Sequence, residues 1–383
     1  MSKSSLPVIS WSWILSRLSE VADLDRTARS FKAFTRRGKV SDPLALLRLI
    51  MMYGPGGLSL RGTAAAACGV VADVSDKAVE GRLRKSGAWL QHLLECLLRA
   101  QGRPIPEGGL SLSLLDGSLI RAPGRGGEWR LHARYDPGLG RFTDLCLTSA
   151  SVSEAVERTH LPGGDILITD RGYARVRNFN AVIASGSTFI TRLGWRSLAL
   201  KTEAGTPFDL IANLPEGEAP VEHAVRVGGV AQTLRLLMQR LPPEKVAKSE
   251  RRVARRSARS GHQLDPRTTQ AAGYLMLLTS LPPEARSAAN VLDLYRARWQ
   301  IEMSFKRLKT LGGIDELPSA DPRLARTWLL AHLIVAVITD ELANRIVGVP
   351  PSKERHDTPA SANLAGLEMG DPCHHQGHCP ATP

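Results

Sequence analysis

The chain has 383 residues, enough for two or three domains and a sizeable buried core. Apolar residues make up 43% and charged residues 23%, which excludes a wholly disordered chain. Lys and Arg number 50 against 37 Asp and Glu, and the net charge of +13 points to a polyanionic partner, nucleic acid or an acidic membrane surface.

No stretch approaches the ~20 apolar residues that a membrane helix needs. The longest apolar run, residues 328–338, contains His332 and reads as a buried helix. The residues after Lys3 lack the apolar stretch of a secretory signal. The five cysteines, Cys68, Cys96, Cys146, Cys373 and Cys379, are odd in number and form no disulfide framework. Both features predict a reducing, cytoplasmic location.

Residues 1–108 read as a helical domain rich in Leu, Ala and Arg. Within it, residues 58–68 and 75–85 have the pattern of two short helices joined by a turn. Lys77, Arg82, Arg84 and Lys85 fall on or near the second, as in a helix-turn-helix. From 109 to 194, short apolar runs alternate with Gly turns. Residues 110–115 alternate with period two and stop at Asp116-Gly117, a strand ended by a turn. Residues 129–135 and 141–147 flank Asp136-Pro137-Gly138, a hairpin. Residues 165–169 form a short apolar run ending at Asp170-Arg171-Gly172, again a strand and a turn. Antiparallel strands followed by a further strand and helices predict an α/β sheet domain.

Residues 195–275 mix strand-like pieces with a dense basic run. Lys245, Lys248, Arg251, Arg252, Arg255, Arg256 and Arg259 are opposed by Glu250 alone. Like charges at i,i+4 destabilise an isolated helix, and phosphate contact offsets that repulsion. The run therefore predicts a surface for the DNA backbone, either as a helix or as a loop that orders on DNA. Residues 276–348 are again apolar and helical. Residues 349–383 turn to Pro, Ser, Gly and His and read as a disordered tail, and the spacing from Cys373 to Cys379 matches no common zinc finger.

Residues 287–311 read as one helix, with Ser287 as its cap and Gly312-Gly313 as its stop. At ~100° per residue, Tyr295, Arg298, Glu302 and Lys309 share one narrow stripe beside a core stripe of Leu294, Ile301, Phe305 and Leu308. Alone, such a row reads either as a solvated face with ion pairs or as a functional edge. Asp116 and Asp170 add two carboxylates at strand ends. Three gathered carboxylates repel one another, and two divalent cations remove the conflict. Oxygen ligands suit Mg²⁺ or Mn²⁺, and a metal pair can drive phosphoryl transfer on a polyanion.

Tyr295, Arg298, Glu302 and Lys309 have the spacing Y-x2-R-x3-E-x6-K. Together with Asp170-Arg171-Gly172-Tyr173 and Asp116-Gly117-Ser118, they make the chain resemble the insertion-sequence-4-type DDE transposases over about residues 50–345. The resemblance implies an α/β, ribonuclease-H-like catalytic domain in two parts, 109–194 and 276–348. A mostly β, basic subdomain at 195–275 would interrupt it, and the helical DNA-binding domain at 1–108 would precede it. It implies that Asp116, Asp170 and Glu302 are catalytic and hold two ions of Mg²⁺ or Mn²⁺. Tyr295, Arg298 and Lys309 would contact DNA phosphates, beside the basic residues Arg251, Arg252, Arg255 and Arg256. Trp195, the lone tryptophan between Asp170 and Tyr295, would either hold a flipped base or pack structurally. The implied activity is cut-and-paste transposition by a homodimer on DNA, with no membrane partner. A same-fold nuclease that does not join strands, and an inactive DNA-binding regulator, are the alternatives.

Overall fold

The computed structural model describes residues 10–102, 111–123, 128–161, 163–260, 263, 265–314 and 317–346. The tail at 349–383, with its Cys and His residues, lies outside the described residues, as does the side chain of Arg256.

Six helices come first: α1 (Trp11–Val21), α2 (Leu24–Ser30), α3 (Pro43–Tyr53), α4 (Leu60–Ala67), α5 (Asp76–Leu83) and α6 (Gly87–Ala100). Ser10, Asp23, Asp42, Ser59 and Ser75 each accept an N–H from the first turn of the helix that follows, which satisfies donors that the helix itself cannot. Helices α4 and α5 are the pair expected over 58–68 and 75–85, and Ser75 is the cap.

Among the described residues nine strands follow: β1 (Ser111–Ile120), β2 (Trp129–Asp136), β3 (Arg141–Ser149), β4 (Asp165–Thr169), β5 (Thr188–Arg192), β6 (Leu200–Lys201), β7 (Val221–Val227), β8 (Leu234–Arg240) and β9 (Tyr274–Thr279). They form one mixed sheet in the order β3-β2-β1-β4-β5-β9-β8-β7-β6. Strands β1 to β3 pair antiparallel, β1, β4 and β5 run parallel, and β5 meets β9 antiparallel. Parallel neighbours need a crossover, and α7 (Val176–Ala184) supplies it between β4 and β5. Helices α8 (Pro243–Ser260) and α9 (Pro266–Ala272) lie between β8 and β9. Helices α10 (Ala288–Arg296), α11 (Trp299–Gly312) and α12 (Pro322–Ile346) are the last elements among the described residues.

The stretch 195–275 carries more helix than a mostly β insertion would. The 18 residues of α8 and 7 of α9 outweigh the short β6, β7 and β8. Arg, Lys and Ala dominate α8 and are strong helix formers. Strands β6, β7 and β8 join the same sheet as β1 to β5.

Alternation along the central strands divides the interior into two cores. Leu114, Ile166, Ile168 and Ile190 face the core built with α1 to α6, α11 and α12. Leu115, Leu167 and Phe189 face the other core, which includes Phe179 and Val182 of α7. Helix α12 is long and apolar enough to cross a membrane by length and composition, contrary to the reading of the sequence. Most of that stretch is buried inside the protein, where Leu329, Leu330, Leu333 and Ile334 are fully covered and α12 packs on α6. Its apolar length serves the core.

Candidate active site

Asp116 lies inside β1, not at a strand end. Pairing with β4 stops at Leu114–Ile168, but pairing with β2 continues from Gly117–His132 to Ile120–Trp129 and keeps the strand extended. Asp170 directly follows β4, as expected, and caps the short turn Arg171–Tyr173 by accepting the Gly172 N–H at 2.8 Å. Each aspartate stands two positions beyond the Leu114–Ile168 pair, so parallel register brings them side by side. Both continue the face that carries Leu114 and Ile168. Burial first, and then the charge of Asp170, push the Asp116 carboxyl up to about 7, against the pull of the Gly117 N–H and Arg298.

The single helix expected over 287–311 is two helices. Helix α10 ends at Arg296 and α11 begins at Trp299. Between them, Ala297 donates to Leu294, Arg298 to Tyr295 and Gln300 to Ala297, three-residue bonds that tighten the turn. No Gly or Pro marks this break, so composition alone does not reveal it. Ser287 caps α10, and Gly313 ends α11 at φ 64°, a left-handed conformation that suits glycine. Ile301, Phe305 and Leu308 are buried as the wheel predicts. Tyr295, placed by the wheel on the functional stripe, is also buried.

Arg298 is the hub of the row. Its Nη1 lies 3.6 Å from Asp116 Oδ2, and its Nη2 is ion-paired with Glu302 Oε1. The guanidinium also lies 5.9 Å from the centre of the Tyr295 ring. Lys309 Nζ donates to the Leu119 carbonyl at 2.8 Å, which ties α11 to β1 three residues beyond Asp116. The fold thus brings Asp116, Asp170, Tyr295, Arg298, Glu302 and Lys309 to one end of the sheet. Glu302 is engaged by Arg298, and among the described residues no three His, Cys, Asp or Glu side chains are gathered tightly enough to hold a metal ion.

Residues 107–338 match the family described as "Transposase DDE domain". The chain belongs to the DDE transposase family. It is 38% identical to the transposase for insertion sequence element IS421 of Escherichia coli over 355 residues, 89% of this chain and 96% of that protein. InsL for insertion sequence element IS186A, from Escherichia coli strain K12, is 38% identical over 354 residues with the same shares. The transposase for insertion sequence element IS231F of Bacillus thuringiensis subsp. israelensis is 24% identical over 240 residues, 55% of this chain and 50% of that protein.

Elsewhere in this DDE transposase, Trp195 is half-buried. Its Nε1 donates to Thr268 Oγ1 at 3.2 Å, and the Arg196 and Arg267 guanidinium groups lie 4.3 and 5.2 Å from its ring centre. The basic run is helical. Arg251, Arg252 and Arg255 of α8 line a groove of about 1100 Å³ with Lys245, Lys248 and Arg192. Arg171, in the turn after Asp170, has its pKa lowered first by burial and then by the charges of Arg192 and Arg252, two residues of that groove. Sequence reasoning did not single out Arg171, Arg192 or Trp299, which stand near the candidate residues. Trp299 is 59% exposed beside Arg298, and exposure is not written in its neighbours. Arg171 had a local signal, its place inside the Asp170 motif.

Proposed function

We propose that this transposase is of the insertion-sequence-4 type, with Asp116, Asp170 and Glu302 as its catalytic acids. As a DDE transposase it cleaves DNA strands and joins them. The order β3-β2-β1-β4-β5, antiparallel over the first three and parallel after, supports a ribonuclease-H-like core for residues 109–194. The observation that carries the reading is the placement of Asp116 and Asp170, each two positions beyond the last β1–β4 pair and coupled in charge. Two carboxylates held side by side by strand register, one of them pushed up to about 7, form a donor set that a cation stabilises.

DDE domains depend on a divalent metal, generally Mg²⁺ or Mn²⁺. Asp116 and Asp170 would hold that ion, and Glu302, here ion-paired with Arg298, would complete the donor set once freed. When bound, metal ions activate an attacking oxygen and stabilise a leaving one in displacement at phosphorus. The chain's own residues hold the DNA. Arg298 offers a planar fork to a phosphate and, on moving to it, frees Glu302. Tyr295 and Lys309 stand on either side of that fork. Arg171, Arg192 and the arginines of α8 draw the backbone along the groove toward the aspartates. Helices α4 and α5, in the helical region 1–108, read the element end, and two copies of the chain hold two ends.

The test uses Asp116→Ala, Asp170→Ala and Glu302→Ala with a labelled duplex carrying the element end. Each variant retains DNA binding and loses cleavage and strand transfer. Cleavage by Glu302→Ala at the wild-type rate removes that residue from the site.

A further inference from the structure

Glu154 stands between β3 and β4 and belongs to no motif. Arg130 of β2 holds it: Nη1 donates to Glu154 Oε1 at 2.8 Å, while Nη2 donates to the Ala150 carbonyl at 3.3 Å. One guanidinium thus fixes both ends of the segment 150–154 against the sheet.

The carboxylate fills the space next to two glycines. A Cβ on Gly117 would lie 2.9 Å from Glu154 Oε1, 3.3 Å from its Cγ and 3.4 Å from its Cδ. A Cβ on Gly172 would overlap Glu154 Oε2 and lie 3.1 Å from its Cδ. Neither glycine adopts the left-handed conformation, so backbone geometry does not call for glycine at either position. Space does. Gly117 follows Asp116 directly, and Gly172 is two residues after Asp170. Alternation along β1 turns Gly117 away from the face that carries Asp116, so Glu154 lies behind the aspartates. Val156 and Tyr173, its neighbours in sequence and in the turn, belong to the core on that rear face.

We propose that Glu154 is a positioning residue: wedged between the strand that carries Asp116 and the turn that carries Asp170, it sets the distance between the two aspartates. Gly117 and Gly172 are small because the wedge needs their space. The consequence for metal binding rests on the assignment of Asp116 and Asp170 above, whereas the packing stands apart from it. Removing the carboxylate lets strand and turn relax toward each other and spoils the spacing that a divalent ion needs. Groups behind metal ligands commonly tune affinity in this way.

Two measurements on the full chain test this. The first is a double-mutant cycle of thermal melting in EDTA. Gly117→Ala lowers the melting temperature when residue 154 is Glu and costs markedly less in the Glu154→Ala background. Equal losses in both backgrounds overturn the wedge. The second follows the Mn²⁺-induced rise in melting temperature. Glu154→Ala raises the half-saturating Mn²⁺ concentration about tenfold, and Glu154→Gln, which keeps the shape, raises it less. A wild-type midpoint for Glu154→Ala overturns the positioning role. Asp116→Ala, run in parallel, abolishes the response. If it does not, the metal assignment has failed, and the melting cycle still decides the wedge.

Discussion

Arg298 lies 3.6 Å from Asp116 and is at the same time ion-paired with Glu302, so one guanidinium stands between two of the proposed catalytic acids. It balances charge between the two acids, and a competing anion can draw it away. A DNA phosphate is such an anion, and in the proposed mechanism its binding would release Glu302.

Arg298→Lys tests that coupling. A lysine keeps the charge but loses the planar fork that spans two partners. Cleavage of an element-end duplex is expected to fall about 100-fold, with little change in melting temperature. Wild-type cleavage by this variant would reduce Arg298 to an ordinary ion pair.

Lys309→Ala removes the hydrogen bond to the Leu119 carbonyl that ties α11 to β1. The expected stability loss is about 1 kcal/mol, read from denaturant unfolding. Cleavage and end-complex formation fall together and by more than that loss explains. If only stability changes, Lys309 acts as a tie between helix and strand and not on DNA.

Neutralising Arg251, Arg252 and Arg255 of α8, with Arg256, is expected to flatten the salt dependence of DNA binding. Each lost phosphate contact lowers the log–log slope by about 0.9. A titration of affinity against salt measures it, and an unchanged slope places α8 away from the DNA.

Asp116 gives a pH signature. Its carboxyl sits near 7 in the folded protein against an ordinary 3.8. Between those values the native state keeps a proton that the unfolded chain has lost. The contribution of Asp116 to stability without metal therefore falls as pH rises from about 4 to 7, by at most about 4 kcal/mol. Asp340, also pushed up to about 6 by burial, contributes with the same sign. The measurement is accordingly a difference: unfolding free energy against pH in EDTA for the wild type and Asp116→Asn. The variant has the shallower slope, and Mn²⁺ flattens the wild-type slope toward it, because metal competes with the proton.

The sequence by itself determined the local elements and the residue types of the site. Period-two alternation marked the first part of β1, a hairpin signal marked β2 and β3, a short apolar run marked β4, capping residues marked α5 and α10, and glycine marked the end of α11. These signals are local because strand alternation, capping and turn chemistry act within a few residues. Helical spacing also set Ile301, Phe305 and Leu308 toward the core. Tertiary structure decided the rest. Asp116 looked like a strand end, since Asp-Gly is a turn signal, but pairing with β2 carries the strand on to Ile120. The turn at Ala297–Arg298 has no breaker residue, so local sequence does not mark it. The meeting of Asp116 with Asp170 depends on which residue of β1 pairs with which of β4, a register fixed by distant hydrophobic faces. The reason Gly117 and Gly172 are glycines is a carboxylate, Glu154, that comes from a third segment of the chain, and only the folded molecule brings that segment to both.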